Sequence, residues 1–154
     1  MIAFSIQEEQ RIQELAQMAF DFARHDDHLN LEIMIKAGLN VNLKNHKGDS
    51  LLMLASYNNA YETTKMLLEY GAKVDEKNSK GQTPLAGVCF KGYLNICQLL
   101  VKYGANIYEN NGLGMTPYMF ALIFGRKDII DFFNANSKPS FGKKIISFFM
   151  NLFK

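Results

Sequence analysis

A repeat with a period of 33 residues constrains the fold of this chain more than any other feature. The repeat is clearest in residues 81–113, and residues of one chemical type recur at the same interval on either side. The recurring columns are Gly48, Gly81 and Gly114; Gly38, Gly71 and Gly104; Ser50, Thr83 and Thr116; Leu52, Leu85 and Tyr118; Asn45, Asn78 and Asn111; and Val41, Val74 and Ile107. A fixed period of this length is typical of a stacked array of small structural units.

Each unit is predicted to contain two helices. Thr83 stands where a hydroxyl can cap a helix start, and Pro84 follows at the first helical position, where its missing N–H costs little. Gly104 follows the second helix, where a left-handed residue is needed. One helix pair cannot bury its own apolar face, so the neighbouring units must complete the core. The apolar positions of this pair are Leu85, Val88, Ile96, Leu99 and Leu100.

The opening and the end of each unit resemble the ankyrin repeat. Residues 81–85 read Gly-Gln-Thr-Pro-Leu, and Thr-Pro recurs at 116–117. Residues 67–72 and 100–105 both end in Tyr-Gly-Ala, which resembles the closing helix and turn of that family. The resemblance implies an all-α ankyrin-type helix-turn-helix solenoid, with about four helix pairs joined by extended loops. The family's usual histidine is replaced in all three units, by Met53, Ala86 and Met119.

The register divides the chain into an array, residues 1–137, and an amphipathic tail, residues 138–154. A long first helix is predicted over residues 5–24, because Ser5 and Glu8 are spaced as a capping box. A second helix is expected over about 28–36, because Gly38 then supplies the left-handed residue that ends a helix. The array comprises a degenerate N-terminal unit (15–47), two full units (48–80 and 81–113) and a C-terminal unit (114–136).

The composition argues against several classes of protein. The net charge is only +2, and 14 of the 17 basic residues are lysine, so nucleic-acid binding is not expected. Residues 1–5 lack the pattern of a secretory signal, and no apolar segment is long enough to span a bilayer. The two cysteines, Cys89 and Cys97, have no paired spacing and are predicted to lie in the core. We therefore expect a cytoplasmic, monomeric protein.

No catalytic, cofactor-binding or metal-binding residue is predicted. The acid-histidine cluster Asp21, His25, Asp26, Asp27 and His28 falls at a turn between two helices, where a solvated turn is favoured over a metal site. A nucleophilic cysteine needs a histidine as its base. All three histidines lie in the first 46 residues, far in sequence from Cys89 and Cys97. The loop at 112–114 lacks the lysine and the strand of a phosphate loop. The chain is therefore predicted not to be an enzyme.

The resemblance also implies where a partner would bind, since ankyrin arrays use a concave face made by the loop tips and the first helices. At the helix positions this chain has large apolar side chains, which mark interaction sites when exposed. The alternative is that the tail or the next unit covers these side chains, so that they are not available to a partner. The predicted partner-binding residues are Tyr57, Asn58, Phe90, Lys91, Ile123 and Phe124 on the helices, and Lys44, Lys47, Lys77, Lys80, Gln82, Leu113 and Met115 in the loops.

The tail combines apolar and basic residues after Pro139. We expect a helix over about 141–153 that covers the helices of residues 117–134, because the last unit needs a polar cover. Binding to a membrane surface or to a partner protein are the alternatives. The residues that would make the cap or the membrane contact are Phe141, Lys143, Lys144, Ile145, Phe148, Phe149 and Leu152.

The sequence thus predicts a non-enzymatic scaffold that binds another protein, with no cofactor. Its size resembles that of short bacterial ankyrin-like chains, some of which are accessory or inhibitory partners of an enzyme or toxin. The alternative is a membrane-surface adaptor anchored by the basic C-terminal helix.

Overall fold

The computed structural model describes residues 3–137, and its helices follow the predicted pairs. Each first helix is connected to the second helix of its own unit by a short turn, and the expected helix-turn-helix solenoid is confirmed. The helices within the described residues are α1 (Ile6–Arg24), α2 (His28–Lys36), α3 (Leu51–Tyr57), α4 (Tyr61–Glu69), α5 (Pro84–Lys91), α6 (Leu94–Lys102), α7 (Pro117–Ile123) and α8 (Lys127–Asn136).

Hydroxyl side chains cap the N-termini of the first helices, as the sequence predicts. The Thr83 hydroxyl accepts a hydrogen bond of 3.4 Å from the backbone N–H of Ala86, and Pro84 occupies the first position of α5. In α1 the capping box is complete: Glu8 N–H donates to the Ser5 hydroxyl, and Ser5 N–H donates to the Glu8 carboxylate. These local bonds satisfy backbone donors that have no partner inside the helix.

The helices form two layers, in which like elements of successive units pack together. Helices α1, α3, α5 and α7 form one layer, and α2, α4, α6 and α8 form the other. Two apolar columns of the repeat lie between the units. Leu52, Leu85 and Tyr118 of one column, and Leu67 and Leu100 of the other, are each at most 1% exposed. Tyr118 fits a leucine column because its hydroxyl donates a hydrogen bond of 2.9 Å to the side chain of Asn134.

The turns between paired helices share a left-handed residue at one position of the repeat. Gly92 and Gly125 occupy it in the last two units, and Asp26 and Asn59 occupy it in the first two with a φ of +59° each. Aspartate and asparagine tolerate this conformation better than most residues with a side chain. Asp26 has a further role, since its carboxylate accepts a 2.8 Å hydrogen bond from the backbone N–H of Thr63 in the next unit.

The predicted tail helix and its cap or membrane contacts, on Phe141, Lys143, Lys144, Ile145, Phe148, Phe149 and Leu152, lie outside the described residues. Within residues 3–137, none of the helices combines the length and the hydropathy needed to cross a bilayer.

Candidate functional site

A concave groove of about 510 Å³ runs along the first helices of the central units and their loops. Its apolar surface comes from α3, α5 and the end of α7, which lie side by side because equivalent helices stack in register. The side chains that give it this character are Met53, Tyr57, Phe90, Phe120 and Phe124. The groove is therefore shared by three units and does not exist in any one of them.

Three phenylalanine rings form one wall of the groove. Phe90 and Phe124 meet edge to face with ring centroids 4.7 Å apart, and Phe120 lies parallel to Phe124 with centroids 6.4 Å apart. Phe90 is nevertheless 38% exposed and Phe124 42% exposed. Edge-to-face contacts hold aromatic rings in defined positions. The wall is thus an ordered apolar surface that still faces solvent.

The opposite side of the groove depends on a glycine inside a helix. The ring of Tyr57 packs so closely over Gly87 that a Cβ at this glycine would lie 3.0 Å from Tyr57 Cδ2. Glycine within a helix costs about 1 kcal/mol relative to alanine, so its presence calls for such a packing reason. The Lys91 ammonium lies 5.2 Å from the centre of the Tyr57 ring, at a distance typical of a cation–π contact.

The predicted loop lysines divide into two groups. Lys44 and Lys77 form ion pairs of 2.5 Å and 2.8 Å with Glu76 and Glu109 of the following repeats. Hydrogen bonds from these lysines hold the pKa of both glutamates below the usual range. The other pair, Lys47 and Lys80, lines the groove and has no ion pair within residues 3–137. Lysines three residues apart in one loop therefore have different surroundings.

Six of the predicted site residues line the groove: Lys47, Tyr57, Lys80, Gln82, Phe90 and Phe124. Others lie elsewhere on the array. Asn58 donates from its side-chain amide to the Leu54 carbonyl at the end of α3, at 2.8 Å. Ile123, Leu113 and Met115 also lie outside the groove. Ile123 is 52% exposed and Leu113 is fully exposed.

Sequence reasoning missed several groove residues. Met53 and Ala86 occupy the column where the family's histidine is absent, and Gly87 and Phe120 belong to the next column. Two signals for them were present in the sequence. The lost histidine leaves a column free for apolar residues, and a glycine within a helical pattern indicates close packing by a neighbour.

The acidic residues of the predicted cluster each have a structural partner. Asp21 forms an ion pair of 2.9 Å with Arg24, Asp26 binds the next unit, and Asp27 caps α2 by accepting from Asn30 N–H. No group of potential ligands among residues 3–137 is arranged to hold a metal ion.

The two cysteines lie in the core, as predicted. A hydrogen bond with Cys97, together with burial, holds the pKa of the Cys89 thiol far above its usual range. A nucleophilic cysteine requires a shift in the opposite direction.

Comparison with known proteins identifies the same type of repeat. The family model described as ankyrin repeats (3 copies) matches residues 15–111 and 52–141, which together include all of the groove. An ankyrin repeat protein of Pseudomonas aeruginosa is 48% identical over 54 residues, which cover 35% of this chain and 32% of that protein. The match thus spans about a third of the relative's length.

Proposed function

This chain belongs to the ankyrin repeat family, and we propose that it is a non-enzymatic scaffold that binds another protein through the concave groove. Ankyrin repeats generally mediate protein–protein interactions. The groove lies on the face formed by the first helices, and residues from three units line it.

The observation that carries this proposal is the exposed aromatic wall. Phe90 and Phe124 are ordered by contact with each other yet remain exposed to solvent. Aromatic side chains dominate the energy of protein interfaces because they bury a large area and lose little conformational freedom. The stacked units hold these rings in place before binding, which lowers the entropic cost of association. A partner enzyme or toxin that is regulated by this contact would fit such a scaffold.

Site-specific photocrosslinking in cells of the native organism tests the proposal. A photoreactive phenylalanine analogue at Tyr57 should form covalent adducts with a partner protein, which mass spectrometry then identifies. The matched control is the same analogue at Ile33, which is 64% exposed on α2, outside the groove. Adducts from Ile33 with none from Tyr57 would place the interaction on another face and contradict the proposal.

A further inference from the structure

We infer that the groove takes a linear, acidic segment of the partner that carries at least two bulky apolar side chains. The inference rests on the proposed function and specifies the chemistry of the partner. Three features of the described residues support it: the size of the groove, the packing of its lining, and the distribution of charge at its rim.

The size and shape favour the side chains of one segment over a broad, flat surface. A groove of about 510 Å³ has room for a few large side chains. The wall made by Phe90, Phe120 and Phe124 gives one contact surface, and Tyr57 over Gly87 gives the other. Aromatic anchors on one partner tend to meet large apolar side chains on the other.

The charge at the rim selects an acidic segment. Lys47 and Lys80 line the groove without an ion-pair partner among residues 3–137, and Lys91 lies above the Tyr57 ring. The acidic residue of the lining is Asp49, whose carboxylate already accepts a 2.9 Å hydrogen bond from the amide of Asn78. Two lysines against one aspartate leave the lining with a net charge of +1 (2 − 1), and Lys91 adds a further positive charge above Tyr57. Complementary potentials therefore favour a partner with carboxylates.

The same charge argues against residues 138–154 of this chain as the occupant. That segment contains four lysines and no acidic residue. Its positive charge would face the free lysines of the rim, and like charges brought together at an interface are unfavourable.

Selection from a displayed library of random twelve-residue peptides, with the intact chain as bait, tests this inference. The enriched peptides should have a net negative charge and at least two large apolar residues. The strongest of them, labelled with a fluorophore, is then titrated against variants of the protein by fluorescence anisotropy.

Two sets of variants separate the apolar contribution from the charge. Phe90→Ala should weaken binding by about 30-fold, as expected for an anchor residue, whereas Phe4→Ala, an exposed ring outside the groove, should leave it unchanged. Lys47→Gln and Lys80→Gln should each weaken binding about two- to fivefold and reduce its salt dependence. The control for charge is Lys65→Gln with Lys102→Gln, since both lysines lie on the opposite face between α4 and α6.

A third variant covers the case in which Phe90→Ala destabilises the fold. Gly87→Ala improves helix propensity and displaces the exposed Tyr57 ring by a few tenths of an ångström. It should weaken binding while the protein remains at least as stable as the wild type.

The possible outcomes distinguish the acidic-segment inference from the proposed function. Peptides that require Phe90 but carry no net negative charge, or do not respond to Lys47 and Lys80, would overturn the acidic-segment inference and leave the proposed function standing. Peptides that bind equally to all groove variants would overturn the inference, because they would bind outside the groove, and the proposed function would again be judged by the crosslinking experiment. Failure to enrich any peptide would overturn the inference, because a linear segment is what it specifies, and the crosslinking experiment would still judge the proposed function.

Discussion

The side-chain oxygen of Asn111 accepts a hydrogen bond of 2.6 Å from the backbone N–H of Thr83, 28 residues earlier in the chain. Asn111 is buried, and its amide also donates to the Glu109 carbonyl. The equivalent Asn78 instead accepts from Lys80 and Gln82 within its own loop. The side-chain oxygen of this column thus binds within its own loop in one unit, and in the next unit it connects the end of residues 81–113 to their beginning.

Asn111→Ala should destabilise the protein by about 1–3 kcal/mol, because it leaves the Thr83 N–H buried without a partner. The free energy of unfolding in urea measures this. The control is Asn110→Ala, since Asn110 is exposed and the backbone donors that it binds, Gly112 and Gly114, can reach water instead. Equal effects of the two substitutions would show that the hydrogen bond between Asn111 and Thr83 contributes little.

Threonine to valine substitutions at two buried positions should differ in their effect on stability. Thr83→Val removes the cap of α5 and should cost about 0.5–2 kcal/mol. Thr63 is equally buried, but its hydroxyl oxygen has no hydrogen-bond partner within the described residues. Thr63→Val should therefore be neutral or stabilising, because it removes a buried polar group that gains nothing. Melting temperatures that change in the same direction would contradict this assignment of roles.

Leu85→Ala should cost about 2–5 kcal/mol, since Leu85 is fully buried between units and its truncation leaves a cavity. Chemical denaturation monitored by far-UV circular dichroism measures the loss. Leu29→Ala is the matched control, because Leu29 is 63% exposed on α2. The free energy of unfolding of this surface variant should stay within about 0.5 kcal/mol of the wild-type value. A small effect at Leu85 would contradict the stacking of units around the leucine column.

The ion pair between Lys77 and Glu109 should make stability depend on pH in the acidic range. The hydrogen bond from Lys77 lowers the pKa of Glu109 in the folded protein. Its stabilising effect is therefore present above the unfolded pKa of glutamate and is lost as the pH falls through the lower, folded pKa.

Lys77→Gln should raise the pKa of Glu109 towards its ordinary value, as measured by NMR titration of the side-chain carboxyl carbon. Glu76 serves as the internal control, because its partner Lys44 is unchanged and its pKa should stay low. An unchanged Glu109 pKa in the variant would show that the pair does not persist in solution.

Deletion of residues 138–154 tests the proposed cap. The segment 141–154 carries eight apolar side chains, and the described chain ends at Ser137, beside an apolar recess lined by Ile107 and Phe133. If the tail covers the last unit, the truncated protein should melt at a lower temperature and aggregate. A truncated protein that is equally stable and monomeric, but no longer floats with anionic liposomes as the full chain does, would support the membrane alternative.

The secondary structure could be predicted closely because its signals are local. The cap at Thr83, the capping box of Ser5 and Glu8, and the end of α2 before Gly38 each depend on residues within a few positions of one another. The identity of the main core columns followed from the period, since Leu52, Leu85 and Tyr118 are buried at the same interval, as are Leu67 and Leu100.

The groove was only partly predictable because it is formed across units. The aromatic residues Tyr57, Phe90 and Phe124 could be placed on the concave face from their columns. The glycine pattern indicated close packing at Gly87, but not that Tyr57 of the neighbouring helix α3 provides it. Phe120 could not be placed in the wall, since the wall forms only where Phe124, which stacks on Phe120, meets Phe90 of α5.

The sequence by itself determined the repeat, the helices and the core of this protein, because capping, helix propensity and apolar periodicity act over short distances along the chain. Only the tertiary structure decided which exposed residues are free to bind. Lys44 is held by Glu76 of the following repeat, whereas Lys47 in the same loop lines the groove. The physical reason is that a charged or aromatic side chain at the surface can contact a partner only if its neighbours in space do not already bind it. Those neighbours lie about one repeat away in sequence.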